Sequence, residues 1–324
     1  MPNLLTIHDL EVGYAAASLD EKLALNGVSF ELDSGEILGI LGESGCGKTT
    51  LAKTLTQSLP RSAVHLKGKI ELEGQPILLN DRTFKRSQIG KIVAISQDPG
   101  LHLNPVIRVG DQVAEVFRAH QQWNKDRIYQ ETKMLLESLE LDSREIYDAY
   151  PHQISGGQQQ RIVIAQALAC SPSLIIADEP TASLDTDTES KILKLLRNSV
   201  RERKMALILI THNPAILADF AERILILYAG RVVECGSQKD VYATPLHPYT
   251  NALLACMRVA SNAKQLGSGI RFPTIPGTSQ RSKGMHGCSF ASRCAQRIEI
   301  CTEEQPNLIQ TTTPQSVECF LYGH

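Results

Sequence analysis

Two glycines five apart, followed at once by Lys and Thr, mark the stretch Gly42-Glu43-Ser44-Gly45-Cys46-Gly47-Lys48-Thr49-Thr50. That spacing is the P-loop pattern. The apolar run Ile37-Leu38-Gly39-Ile40-Leu41 leads into it and reads as a buried strand. Leu51-Ala52-Lys53-Thr54-Leu55 leads out and reads as a helix. Strand, loop and helix in this order are the context the motif requires. Glycines let the backbone curl so that its N–H groups face inward, and the helix start adds its positive dipole end. Lys48 is placed to reach β- and γ-phosphates, and the Thr49 hydroxyl to ligate Mg²⁺. The stretch therefore predicts a nucleotide-phosphate site within an α/β fold.

A chain of 324 residues has room for two or three domains. With 42% hydrophobic and 21% charged residues it has ordinary globular composition. Its net charge of −2 gives no reason to expect nucleic acid as a partner. No apolar run reaches the ~18 residues of a membrane span. The start Met1-Pro2-Asn3-Leu4-Leu5-Thr6 lacks the basic and apolar regions of a signal peptide. The expectation is a cytosolic chain that meets a membrane only through other polypeptides. Eight cysteines then suggest thiols or metal ligands rather than disulfides.

Ahead of the loop, Thr6–Val12 alternates as a strand and ends at Gly13-Tyr14, and Gly27–Leu32 is a second strand. A ring that stacks on adenine and an ordinary strand-end side chain both fit Tyr14. Beyond the loop come the strand-like Lys69–Glu73 and a turn at Gly74-Gln75-Pro76. The buried run Ile92–Ser96 then delivers Gln97 to a strand end, where α/β sheets bind ligands. Between about 98 and 165 the spacing turns helical, which predicts an inserted helical subdomain. It closes on Ser155-Gly156-Gly157-Gln158, where Ser155 reads as an N-cap and makes a second anion-binding helix start. The run Leu174–Ala177 ends in Asp178-Glu179, two carboxylates at one strand end. An Asp there holds Mg²⁺ in P-loop enzymes, and Glu179 is placed to polarise water. Ser183-Leu184-Asp185 precedes the helix Glu189–Val200, and the strand Ala206–Ile210 delivers Thr211-His212.

The ordered set Tyr14, Gly42–Thr50, Gln97, Ser155–Gln158, Asp178, Glu179, Asp185 and His212 resembles the ATP-binding subunit of ABC transporters. The Ser155-Gly156-Gly157-Gln158 signature sets it apart from GTPases, kinases and helicases. The resemblance implies a RecA-like P-loop core with an antiparallel β subdomain and the inserted helical subdomain, spanning 1–257. It implies ATP and Mg²⁺ as ligands. Tyr14 would stack on adenine, Lys48 and Thr49 would bind phosphate and metal, and Gln97 and Asp178 would complete the metal site. Glu179 would be the general base and His212 the γ-phosphate sensor. Gln97-Asp98-Pro99 with Leu103-Asn104-Pro105, Tyr150-Pro151-His152-Gln153, and His247-Pro248-Tyr249-Thr250 are similar to the oligopeptide, dipeptide and nickel permease branch. This implies an importer ATPase, peripheral on the cytoplasmic side of the inner membrane. Its partners would be two membrane permease subunits and a second, related ATPase subunit, with an extracytoplasmic solute-binding protein acting indirectly. Peptides are the implied cargo, nickel–chelate the alternative, and a soluble non-transport ABC ATPase the rival. Two residues depart from the family pattern. Asn213 stands where Asp is common and Ile154 where Leu is usual.

Residues 258–324 read as a small Cys-rich C-terminal extension behind a linker-like stretch, 261–269. Cys288, Cys294, Cys301 and Cys319 are spaced C-x5-C-x6-C-x17-C, whereas Cys46, Cys170, Cys235 and Cys256 stand singly. Four thiols in a segment of low apolar content suggest a metal staple in place of a core. The close cysteine pairs usual at zinc sites are absent. The permease resemblance implies a [4Fe–4S] cluster on these four residues, with zinc and free thiols as the alternatives.

Overall fold

Every apolar run that the sequence marks around the phosphate loop becomes a strand. The computed structural model describes residues 3–15, 22–77, 90–182, 184–256, 275–277 and 287–323. Its first strands are β1 (Leu5–Tyr14), β2 (Lys22–Leu32), β3 (Ile37–Leu41), β4 (Ala63–Leu72) and β5 (Gln75–Ile77). β6 (Ile92–Ile95), β7 (Leu174–Asp178), β8 (Ala206–Ile210) and β9 (Arg223–Tyr228) follow. The last are β10 (Arg231–Ser237), β11 (Ile309–Gln310) and β12 (Ser316–Val317). The helices are α1 (Lys48–Leu55), α2 (Val109–His120), α3 (Lys125–Ser138), α4 (Ser143–Ile146) and α5 (Gly156–Ala169). α6 (Thr186–Glu202), α7 (Pro214–Phe220) and α8 (Gln238–Ala243) follow, and residues 248–256 are also helical. Ser183 and the stretch 261–269 lie outside the described residues.

The chain divides into two compact units. One contains 2–32, 37–82 and 209–324. Its first sheet is antiparallel, in the order β2-β1-β4-β5. β4 and β5 are joined by Glu73 and Gly74, both left-handed at φ 52 and φ 72. A tight hairpin with right-twisted strands needs that pair of angles. The turn expected at Gly74-Gln75-Pro76 therefore sits at Glu73-Gly74 and ends two residues earlier, since Gln75 and Pro76 begin the return strand. Pro76 is tolerated because β5 is an edge.

The second sheet of this unit runs β11-β12-β10-β9-β3, with β3 and β9 parallel and the other pairs antiparallel. All five residues of β3 are buried, as a strand covered on both faces demands. β11 and β12 come from the cysteine-bearing extension, and β12 pairs with β10 through Cys235↔Ser316 and Glu234↔Val317. The extension is thus sheet-bound among the described residues, which its composition did not announce.

The other unit contains 33–36 and 83–208. In it β6 and β7 are parallel neighbours, and β7 is flanked on its other side by the first residues of β8, Ala206–Ile208. Helices α2 to α5 lie between β6 and β7 in this unit. α2 buries Val113, Ala114 and Phe117, and α3 buries Ile128, Leu135 and Leu136. Gly110 permits one close approach there, since a Cβ would sit 2.4 Å from the Tyr147 ring. Among the described residues no helix is long and apolar enough to cross a membrane.

Candidate active site

The P-loop keeps its shape because two of its glycines admit no side chain. A Cβ on Gly42 would lie 2.2 Å from the Leu227 carbonyl oxygen and 2.7 Å from the Cys46 sulfur. Gly47 is left-handed at φ 113, and a Cβ there would meet the Ala24 carbonyl oxygen at 2.6 Å. Gly47 is also the N-cap of α1, which no side chain caps. Helix starts of this kind receive anions. The helix begins at Lys48, inside the motif rather than after it. Lys48 is buried, and its Nζ donates to the Gly42 carbonyl at 2.7 Å and the Glu43 carbonyl at 2.9 Å. Its third contact is the Cys46 sulfur at 3.6 Å, a thiol whose pKa burial pushes up. The ammonium therefore sits over the hollow of the loop, held by acceptors that phosphate oxygens can replace.

Two expected contributors stand close to this loop within the same unit. The Tyr14 hydroxyl lies 3.3 Å from the Thr50 hydroxyl, so the ring flanks the first turn of α1. The Thr211 N–H donates to the Ile40 carbonyl at 3.3 Å, which brings His212 to the end of β3 where the P-loop starts. Asn213 caps α7 by accepting from the Ala215 N–H at 3.1 Å. An amide oxygen performs that capping as an Asp would, without a charge beside His212.

The second unit carries the other expected residues. β7 ends at Asp178, and Glu179 follows in the left-handed region at φ 50. A non-glycine residue in that conformation is uncommon and ends the strand's alternation there. Ser155 and Gln158 form a capping box at the start of α5. The Ser155 hydroxyl accepts from the Gln158 N–H at 3.3 Å, and the Gln158 amide oxygen accepts from the Ser155 N–H at 2.8 Å. A Cβ on Gly157 would meet the Thr188 methyl at 2.8 Å, so this glycine seats α5 against the start of α6. Asp185 caps α6 through the Thr188 N–H at 3.0 Å, and the hydrogen bonds from Thr188 hold its carboxyl below the usual range. Gln97 is exposed just beyond β6, ahead of a turn that Asp98 caps through the Gly100 N–H at 3.0 Å.

The four cysteines of the extension are unbonded thiols. Cys288 donates its N–H to the Cys301 carbonyl at 2.9 Å. Burial pushes the Cys288 thiol up to about 11, with Cys301 and Cys319 adding to the rise, and burial raises Cys294 and Cys319 as well. Among the described residues no three His, Cys, Asp or Glu side chains are grouped to hold one metal ion. The metal centre expected on Cys288, Cys294, Cys301 and Cys319 therefore has no formed single-ion ligand set among the described residues.

Sequence reasoning left two residues of the P-loop neighbourhood unassigned. Tyr249 accepts the Glu43 N–H at 2.9 Å, and Arg293 pairs with the Glu43 carboxylate at 2.9 Å and 3.0 Å. Only the motif His247-Pro248-Tyr249-Thr250 hinted at the first, and nothing marked the second.

Comparison with known proteins agrees with this geometry. Residues 25–182 match the family described as "ABC transporter", and 233–301 match "Oligopeptide/dipeptide transporter, C-terminal region". The oligopeptide transport ATP-binding protein OppD of Salmonella typhimurium is 38% identical over 94% of this chain and 89% of its own. A probable peptide ABC transporter ATP-binding protein of Sinorhizobium fredii, y4tR, is 36% identical over 98% of this chain and 94% of its own. Among solved structures, the dimeric ATP-binding cassette MJ0796 in a post-hydrolysis state with ADP and Pi superposes with a TM-score of 0.61 at 26% identity. It covers 72% of this chain and 98% of its own.

Proposed function

Because the chain belongs to the ABC transporter family and is one of its ATPases, we propose that it powers the import of oligopeptides or dipeptides across the cytoplasmic membrane. One observation carries the cargo: the likeness to peptide-transport ATP-binding proteins runs nearly full length and includes the 233–301 match. The chain acts at the cytoplasmic side of the inner membrane, on two permease subunits and beside a second, related ATPase subunit. A solute-binding protein outside the membrane selects the peptide.

ATP phosphates take the place of the Gly42 and Glu43 carbonyls on Lys48, while Tyr14 receives the adenine. Thr49, Gln97 and Asp178 supply hard oxygen donors of the kind Mg²⁺ prefers, and the ion when bound neutralises phosphate charge. Glu179 takes a proton from the attacking water, and His212 contacts the γ-phosphate. The Ser155–Gln158 helix start serves the ATP of the partner ATPase, as in a head-to-tail pair. Leu101 and Val106, 82% and 77% exposed just after Gln97, offer an apolar landing for a permease helix. Docking there couples closure of the pair to the channel.

Glu179→Gln is expected to keep ATP binding and to lower turnover by ~10²–10⁴, the scale of a lost general base. Turnover at the wild-type rate in that variant would remove Glu179 from its role. Cargo is read from a strain lacking this chain. Uptake of labelled peptides should fail and return with the gene, and failure of nickel uptake alone would reassign the cargo.

A finer reading concerns the extension: Cys288, Cys294, Cys301 and Cys319 ligate a [4Fe–4S] cluster. The Cys288 N–H on the Cys301 carbonyl at 2.9 Å supports it by bringing two of the four together, and a cubane holds its four thiolates farther apart than a single ion does. Anaerobically purified protein should then be brown, with iron and acid-labile sulfide in equal amounts. Colourless protein without iron sinks this reading.

A further inference from the structure

The contacts around Glu43 give the cysteine-bearing extension a task at the nucleotide site. Arg293 is almost wholly buried, with 5% of its side chain exposed. All five of its N–H donors are used, as few guanidiniums achieve. Nη1 donates to the Glu43 carboxylate at 2.9 Å and the Tyr228 hydroxyl at 3.3 Å. Nη2 donates to the other Glu43 oxygen at 3.0 Å and the Ile275 carbonyl at 3.1 Å, and Nε to the Pro276 carbonyl at 2.8 Å. The side chain lies over the rings of Tyr228 and Phe290. Tyr228, Phe290 and the buried Tyr249 pack mutually, with centroids 4.6 to 5.5 Å apart. Tyr249 in turn accepts the Glu43 N–H at 2.9 Å.

Glu43 is therefore fixed at both its side chain and its main chain, while its carbonyl accepts from Lys48. It is also a carboxylate inside a loop that binds a polyanion. Left alone it would repel the phosphates; forked to Arg293 it is neutralised and anchored. Arg293 is itself set by the short turn Ala291–Arg293 between Cys288 and Cys294, where the Ala291 N–H donates to the Cys288 carbonyl.

We propose that Arg293 is a positioning residue for ATP: through its fork on Glu43, the C-terminal extension holds the P-loop open for phosphate and cancels the loop's negative charge. The inference rests on the reading of Gly42–Thr49 as the nucleotide site. Tyr249 supports the same loop from its main chain.

The test measures ATP affinity of the purified chain by equilibrium titration, and KM and kcat in the assembled transporter. Arg293→Met should weaken ATP binding by about tenfold or more, the scale for lost bonds to a charged group. KM should rise while kcat changes by less than about twofold. Glu43→Gln added to Arg293→Met should restore part of the affinity, because the unpaired carboxylate is gone although the fork is still missing. A merely structural role for Arg293 gives no such rescue. Wild-type affinity in folded Arg293→Met, or no recovery in the double variant, overturns the proposal. If Arg293→Met does not fold, Arg293→Lys decides: it keeps the charge but loses the fork, so affinity should still fall several-fold. Unchanged affinity there overturns the proposal equally. Lys48→Ala separates the two readings. Lost binding in Lys48→Ala with unchanged Arg293 variants removes this inference alone, whereas wild-type binding in Lys48→Ala removes the nucleotide site and the inference with it.

Discussion

His247 shows how a single side chain ties the fold to pH. It is 2% exposed, and its Nδ1 accepts the Tyr249 N–H at 3.0 Å. Burial holds its pKa down to about 3, against a hydrogen bond with the Glu318 main chain that favours the charged form. The ring is therefore neutral in the fold across ordinary pH. An unfolded chain protonates it near 6.5. Below that value the unfolded state binds a proton that the folded state refuses, so stability is complete above about 6.5 and falls as pH drops toward 3. The slope is up to about 1.4 kcal/mol per pH unit. Its neighbour Glu234 accepts the Leu246 and His247 N–H groups at 2.9 Å, and burial pushes that carboxyl up, which works in the opposite sense. Comparing variants isolates the histidine. His247→Asn, which keeps an acceptor and a donor, should lose less stability than wild type in urea titrations between about pH 7 and about pH 5. Equal losses would show that His247 carries none of the dependence. The motif containing His247 was visible in the sequence as a family mark. Its burial was not, since Phe290 and Glu318 come from distant parts of the chain.

At the scale of elements, legibility followed the pattern of burial. β3 and β8 are buried at every residue, and each was visible as an unbroken apolar run with its ends in place. β7 was visible for the same reason, and with it the Asp178-Glu179 pair. β11 and β12 have two residues each, too few for any period to show, and they exist only because β10 offers an edge. α5 shows a stronger local signal. Ser155 at N-cap and Gln158 three residues later make a capping box, which a sequence displays openly. The same residues that mark the family thus start the helix. Ser155→Ala should cost about 1 kcal/mol in denaturant unfolding. On the proposal that Ser155 serves the partner's nucleotide, ATP affinity of the isolated chain should stay unchanged, while turnover of the paired ATPases falls. A drop in the isolated chain's own ATP affinity would argue that α5 acts on its own P-loop.

At the scale of the whole molecule, the extension is part of the unit that holds the P-loop rather than an appendage to it. Three kinds of bond attach it. The Glu318 N–H donates to the Val233 carbonyl at 2.9 Å, extending the pairing of β12 with β10. Arg231 meets the buried Glu318 carboxylate at 2.8 Å. Gln315 donates to Glu234, itself fully buried, at 3.3 Å, and to the Thr244 carbonyl at 3.2 Å. A chain ending at 256 would expose the β10 edge, leave Arg231 without its carboxylate and take one donor from Glu234. Unpaired edges recruit other edges. Such a chain should melt several degrees lower, since each kilocalorie lost in a unit this size shifts the midpoint by about 2–4 °C. It should also self-associate in light scattering, and bind ATP more weakly because Arg293 is gone with the rest. The three readouts separate the causes. Aggregation with intact ATP affinity would assign the extension to edge protection alone, and a soluble chain with weakened ATP binding would assign it to the P-loop alone. If neither property changes, β12 and Arg293 contribute nothing to the unit they are bonded to.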